Sequence, residues 1–222
     1  MHLITIYFRH LYSHYLSRLG RRYLEAGKTE KAITIFEKAL ALVQKPEYQM
    51  NLASGLFSAC RFGESIVILE KLRSDNLDTI SSNLLLGQCY LLTQSYSTAI
   101  HFFQTLSEQD GKNQLYASLF KLAQDPVVRD KYRLSLYYQL QAAICSDSRS
   151  YDDAYKFLED ARELNPEDPN IHNNLGVIAF KLKKPKSRII SHFSEAMRLA
   201  PDNEIYKKHY LKLWPKIRRL KD

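Results

Sequence analysis

The sequence predicts an all-α protein built from about five stacked helix hairpins, and three observations predict it. Small residues recur with a period of 33–34: Gly20 and Gly87 stand 67 residues apart, and a degenerate copy, Leu52-Ala53 then Leu56-Phe57, falls between them. Each copy then carries a small residue with a bulky one four later, Ala32/Phe36, Ser65/Leu69 and Ala99/Phe103. A further packing position follows three residues on, at Ala39, Leu72 and Leu106. Spacings of three and four place these residues on one face of a helix. Finally, glycine and proline are scarce, at 7 each in 222 residues, so helical stretches run long between breaks.

The steric logic of each unit is a pair of helices, A then B, that approach closely where both carry small side chains. Leucine, tyrosine and phenylalanine fill the ridges around that contact. The helix crossings expected on this basis are Gly20–Ala32, Gly87–Ala99 and Gly176–Ile189. The A–B turns are placed at Glu25–Thr29, Cys60–Glu64 and Gln94–Ser97, with Gly27 able to take a positive φ. Two later copies follow. The fourth is clear only in its B helix, Ala154, Leu158, Ala161 and Pro166, its A helix falling within Leu136–Cys145. The fifth has Gly176, Ile189/Phe193, Ala196 and Pro201. The fifth is one residue too long, and Lys183-Lys184-Pro185-Lys186 absorbs the extra residue in its turn. The prolines at 166 and 201 are expected to end the B helices.

The stretches L-G-R-R-Y (Leu19–Tyr23), L-G-Q-C-Y (Leu86–Tyr90) and N-N-L-G-V-I-A (Asn173–Ala179), with the A-x3-F pairs after them, resemble the tetratricopeptide-repeat family. Leu16 stands where that pattern has tryptophan. The resemblance covers roughly four-fifths of the chain, with repeats beginning near Ser13, Pro46 and Ile80. It implies a right-handed superhelix, an α-solenoid, whose A helices line a concave groove for an extended peptide or a single helix. By register the groove residues would be Ser17, Arg21, Leu24, Met50, Ser54, Phe57, Leu84, Gln88, Leu91, Asn173, Val177 and Lys181. Phe57 and Leu91, each twelfth in its A helix, would be the apolar anchors. One subtype of the family grips a terminal carboxylate through Lys, Asn, Asn, Lys and Arg/Lys. The matching positions here are Ser17, Arg21, Asn51, Ser81 and Leu85, and only Asn51 agrees, so that mode is not expected.

Four segments and an insert complete the organisation. Residues 1–12 read as an N-terminal capping helix, 13–113 as repeats 1–3, 135–201 as repeats 4–5, and 202–222 as a basic C-terminal capping helix. The 114–134 insert breaks the period but is helical in character, with Leu115, Leu119 and Leu122 on one stripe. Asp125-Pro126 then signals a fresh helix start, running to about Cys145. In the last segment Tyr206, Tyr210, Leu213, Ile217 and Leu220 form an apolar stripe, and Pro215 should kink it. Lys207, Lys208, Lys212, Arg218, Arg219 and Lys221 decorate the rest. Charge is concentrated there: residues 1–180 carry 19 Lys+Arg against 20 Asp+Glu, and residues 181–222 carry 13 against 4.

Signals for catalysis are missing. Cys60, Cys89 and Cys145 are dispersed and form no zinc or disulfide pattern. His10 and His14 share a helix face but lack a third ligand, and there is no phosphate loop or nucleophile elbow. The apolar run at the start is too short to span a bilayer and lacks a cleavage site. The sequence is therefore read as a non-enzymatic scaffold without cofactor, metal or small-molecule substrate. It would bind another protein in its groove and help assemble a larger complex. A cytoplasmic location is expected, with peripheral membrane association as a variant. The alternative is a recruitment module that docks on an acidic protein or an anionic surface, membrane or nucleic acid, through the basic C-terminal end.

Overall fold

The computed structural model describes residues 2–220, with side chains from Ile6 onward. Met1 of the first segment and Lys221 and Asp222 of the last lie outside the described residues. Twelve helices and no strand occur among the described residues: α1 His2–Glu25, α2 Thr29–Leu42, α3 Pro46–Ser58, α4 Phe62–Ser74, α5 Ile80–Leu92, α6 Tyr96–Gln109, α7 Gln114–Gln124, α8 Pro126–Asp147, α9 Tyr151–Leu164, α10 Pro169–Lys181, α11 Lys186–Leu199 and α12 Glu204–Ile217. The fold is an all-α hairpin solenoid. The chain divides into two compact units, Met1–Arg129 and Asp130–Asp222.

The hairpins are phased by their turns. Gly27, Cys60, Gln94, Arg149 and Lys183 all have positive φ, between 54° and 74°. Each closes its A helix in the same way. The next amide bonds a carbonyl five residues back, Lys28 to Tyr23, Arg61 to Leu56, Ser95 to Tyr90, Ser150 to Cys145 and Lys184 to Ala179, at 2.8–3.0 Å. These residues are spaced by 33, 34 and 34 within the regular stretches. Between Gln94 and Arg149 the gap is 55, which exceeds the period by the 21 residues of 114–134. In four turns helix B begins two residues after the left-handed position, and after Lys183 it begins three later, which places the extra residue of the fifth repeat where the sequence put it.

Packing within three of the hairpins, α1–α2, α5–α6 and α10–α11, centres on glycine against phenylalanine. A Cβ on Gly20 would lie 2.5 Å from Phe36 Cε1, on Gly87 2.8 Å from Phe103 Cε1, and on Gly176 2.9 Å from Phe193 Cδ2. The atoms nearest each glycine thus belong to the bulky residue of the A-x3-F pair, not to Ala32, Ala99 or Ile189 as the crossings were first drawn. In the first and third hairpins the alanine leaves room on helix B, and the ring four residues later fills it. In the first unit neighbouring A helices touch, α1 with α3 and α3 with α5, and form a layer; in the second, α10 touches α12.

Two boundaries differ from the sequence reading. α1 is continuous through Tyr12-Ser13, so residues 2–12 are the first turns of the A helix itself and not a separate helix. No glycine or proline interrupts the stretch, and nothing there can stop a helix. In α7, Leu119 and Ala123 are buried while Leu115 is exposed, so the packed stripe begins one turn later than Leu115. α7 rests on α6.

α8 starts at the Asp125-Pro126 signal. Asp125 Oδ1 accepts from the amides of Val127 (2.9 Å) and Val128 (3.1 Å). Asp125→Ala should lower the melting stability by about 1 kcal/mol and speed amide exchange at Val127 and Val128. Unchanged exchange there would show that the cap does not hold the helix start. α12 is capped by Asn203, whose Oδ1 accepts from Ile205 N at 3.0 Å. Its stripe packs as expected: Tyr206 and Ile217 are buried, and Tyr210, Leu213 and Leu220 join Trp214 against Ala179, Ile189 and Phe193. The helix carries Pro215 within its span.

Candidate partner-binding groove

In the first unit the A layer is α1, α3 and α5. Its polar seam is built from Ser17 and Asn51: Asn51 Nδ2 donates to Ser17 Oγ at 3.1 Å. Ser54 donates back to Met50 O at 2.9 Å, so its hydroxyl is committed to its own helix. Arg21 is exposed, and Leu24, Met50, Phe57, Leu84 and Gln88 are half-buried. Phe57 meets Phe62 edge-on at 5.7 Å. With Met50 it rests against the core of Ala53, Leu69, Leu72, Leu85, Leu86, Cys89 and Phe102.

Three residues assigned to the groove are enclosed. Ser17 is 1% exposed, Leu91 0% and Asn173 4%. Ser17 is spent on the α1–α3 seam. Leu91 belongs to a middle helix: α5 packs on α3, α4 and α6 at once, and Leu92 beside it is buried too, so little of its circumference is free. Leu91 cannot act as an exposed anchor. Of the carboxylate-clamp positions, Asn51 is occupied by Ser17, Ser81 is exposed and Leu85 is buried.

In the second unit Asn173 is covered by α12, where His209 Nδ1–H donates to its Oδ1 at 3.0 Å, while Asn173 Nδ2 donates to Asn174 Oδ1. Burial, and then Lys212, lower the His209 pKa. Val177 is half-buried against the α10–α11–α12 core, and Lys181 is exposed with its ammonium 6.0 Å from the Tyr151 ring. Lys207, Lys208, Lys212, Arg218 and Arg219 are all exposed, and Lys207 pairs with Glu204 at 3.0 Å.

The reactive side chains are subdued by their surroundings. Burial pushes the Cys89 thiol up to about 11, and its sulfur lies 3.6 Å from Ser65 Oγ. Burial also raises Cys145. Burial and the bond to Glu70 (2.8 Å) raise Tyr90 to about 12. Among the described residues no three His, Cys, Asp or Glu gather as a metal site, and no helix is long and apolar enough to cross a membrane.

One surface received no site residues from the sequence reading. Ile6, Tyr7, Phe8, Leu11, Tyr12 and Tyr15 on α1 are exposed. Spacing held the signal for part of the set: Phe8, Leu11 and Tyr15 fall on the side of the helix opposite Ser13, Leu16 and Gly20.

Tetratricopeptide-repeat models match residues 13–43 and 146–204. No curated protein matches the chain significantly. Among solved structures, a tetratricopeptide-repeat protein of Thermus thermophilus aligns at 16% identity over 91% of this chain and 99% of its own, TM-score 0.44. MamA of Desulfovibrio magneticus aligns at 14% identity over 86% and 96%, TM-score 0.44. The TPR2AB domain of yeast Sti1, solved in complex with an Hsp90 peptide, aligns at 14% identity over 94% and 96%, TM-score 0.44. The two sequence matches fall where glycine–phenylalanine hairpins close on left-handed turns, and in these two stretches, 13–43 and 146–204, the chain carries tetratricopeptide repeats.

Proposed function

We propose that the protein is an interaction scaffold that holds a polypeptide segment, an extended peptide or a single helix, on the A-helix face of α1, α3 and α5. The observation that carries this reading is the mixed surface there. Met50, Phe57 and Leu84 keep part of their apolar surface outside the core, beside exposed Arg21 and half-buried Gln88. Apolar side chains in such a layer gain from a partner that removes them from water. The polar pair can bond a backbone or an acidic side chain. With Leu91 enclosed, Phe57 and Leu84 are the anchors. The scaffold would serve in assembling a larger complex.

Pull-down with crosslinking from Phe57 identifies the bound segment. Phe57→Ser with Leu84→Ser should then weaken capture by roughly tenfold or more, with helicity retained. Capture at wild-type affinity would remove this face from consideration. The exposed cations of α12 and its C-terminal end, Lys207, Lys208, Lys212, Lys216, Arg218 and Arg219, favour a second reading, recruitment to an acidic protein or anionic surface. Salt separates the two: docking by those cations weakens steeply with ionic strength, and apolar anchoring does not.

A further inference from the structure

We propose that α1 docks the protein on an anionic phospholipid bilayer. Tyr7, Phe8, Leu11, Tyr12 and Tyr15 would enter the headgroup layer, and Arg18 and Arg22 would pair with lipid phosphates. This site is separate from the groove and from the basic residues of α12.

From Ser13 onward the helix is one-sided, with Ser13, Leu16, Ser17 and Gly20 buried and Tyr15, Arg18 and Arg22 exposed. Before Ser13 every described side chain is exposed, and Tyr7, Phe8, Leu11, Tyr12 and Tyr15 are between 53% and 65% exposed. The aromatic rings order one another, Tyr12 stacked on Tyr15 at 6.3 Å and Tyr7 edge-on to Phe8 at 6.1 Å. A shallow depression of about 630 Å³ runs along this face past Leu11, Tyr15, Arg18 and Arg22, and every residue around it belongs to α1. No second helix forms a wall, so the face is a ridge. A peptide partner needs a groove, but a fluid planar layer closes around a ridge.

Charge selects the occupant. α1 contains Arg9, Arg18, Arg21 and Arg22 against one acid, Glu25. Arg9 reaches back to Ala41 O at 3.4 Å, and Arg21 belongs to the groove face, which leaves Arg18 and Arg22 on the outer face. Arg18 and Arg22 follow Tyr15 by one and two turns on the same side of the helix. Along roughly 24 Å from Ile6 to Arg22, an aromatic segment gives way to a cationic one. Tyrosine and phenylalanine favour the membrane interface, and arginine adds attraction to anionic headgroups. A second copy would bring more arginines to a face that has no acid to pair with them. Nucleic acid would leave Ile6 and Leu11 without a role.

The test uses the full chain with unilamellar vesicles of phosphatidylcholine containing about 30% phosphatidylserine, against phosphatidylcholine alone. The wild type should float with the anionic vesicles. Phe8→Ser/Leu11→Ser/Tyr12→Ser should lose at least about tenfold in partitioning, and Arg18→Glu/Arg22→Glu about 25-fold or more. All five side chains are exposed, and an unchanged circular dichroism spectrum and melting curve would verify folding. In a Tyr12→Trp variant, emission should shift blue and be quenched by brominated acyl chains. Flotation that survives both sets of changes, or is lost only when the α12 cations are replaced, would overturn the proposal. So would a wild-type dimer that the triple change dissolves, or binding to an oligonucleotide in preference to the vesicles.

Discussion

Gly87→Leu should destabilise the first unit by about 2–3 kcal/mol through overpacking. Even a single methyl at this position would stand 2.8 Å from Phe103 Cε1 and 3.2 Å from Phe102 Cβ. Phe103 is fully buried, so its ring has no free space to move into. Two effects compete at Gly20 in the alanine variant. Alanine gains about 1 kcal/mol of helix propensity, and the methyl at 2.5 Å from Phe36 costs more than that because Phe36 is also fully buried. The sign should be destabilising. Gly63 in the first turn of α4 has nothing within 4 Å, so Gly63→Ala should raise stability by up to about 1 kcal/mol. Chemical denaturation of the three variants settles it. A Gly87→Leu protein with the wild-type midpoint would mean that α5 and α6 do not meet at this point.

Acidification should weaken the second unit between pH 6.5 and about 4, by about 2 kcal/mol. The source is His192, which is 7% exposed and within 3.2 Å of the Tyr155 hydroxyl. Burial lowers its pKa to about 4, with Arg162, His172 and Arg188 adding to the shift and Glu159 opposing it. The unfolded chain therefore takes up a proton near pH 6.5, while the folded one resists until about pH 4. Across that window the unfolded state binds more protons, so stability falls as pH falls and is flat above pH 7. His192→Gln should abolish this part of the pH dependence. A variant whose stability tracks the wild type from pH 7 to 4 would assign the effect to other groups.

What the sequence disclosed depended on how local each feature is. The period, the A-x3-F pairs and the Asp125 cap are set by residues within a few positions of one another, and all appear where they were placed. The additional residue before α11 was legible because proline and the small residues fix both ends of that turn. Burial was less legible. Leu91 and Phe57 hold the same register on helices that each pack against several neighbours, yet Leu91 is enclosed and Phe57 half-buried, so register alone does not decide which of the two keeps exposed surface. The continuity of α1 was hidden because the family pattern begins at Ser13 and made the preceding turns look like a separate element. His192 carried no signal at all, since its low proton affinity comes from residues on three helices, α9, α10 and α11.

The left-handed turns set a further property. Only Gly27 occupies this conformation at no steric cost, while Cys60, Gln94, Arg149 and Lys183 hold it with side chains, each at about 1 kcal/mol relative to glycine. Gln94, Arg149 and Lys183 are exposed and lie outside the assigned binding surfaces. The array thus contains several independent adjusters, one per hairpin, that alter the durability of a module while leaving its recognition surface intact. Selection can lengthen or shorten the lifetime of the protein at these positions one repeat at a time.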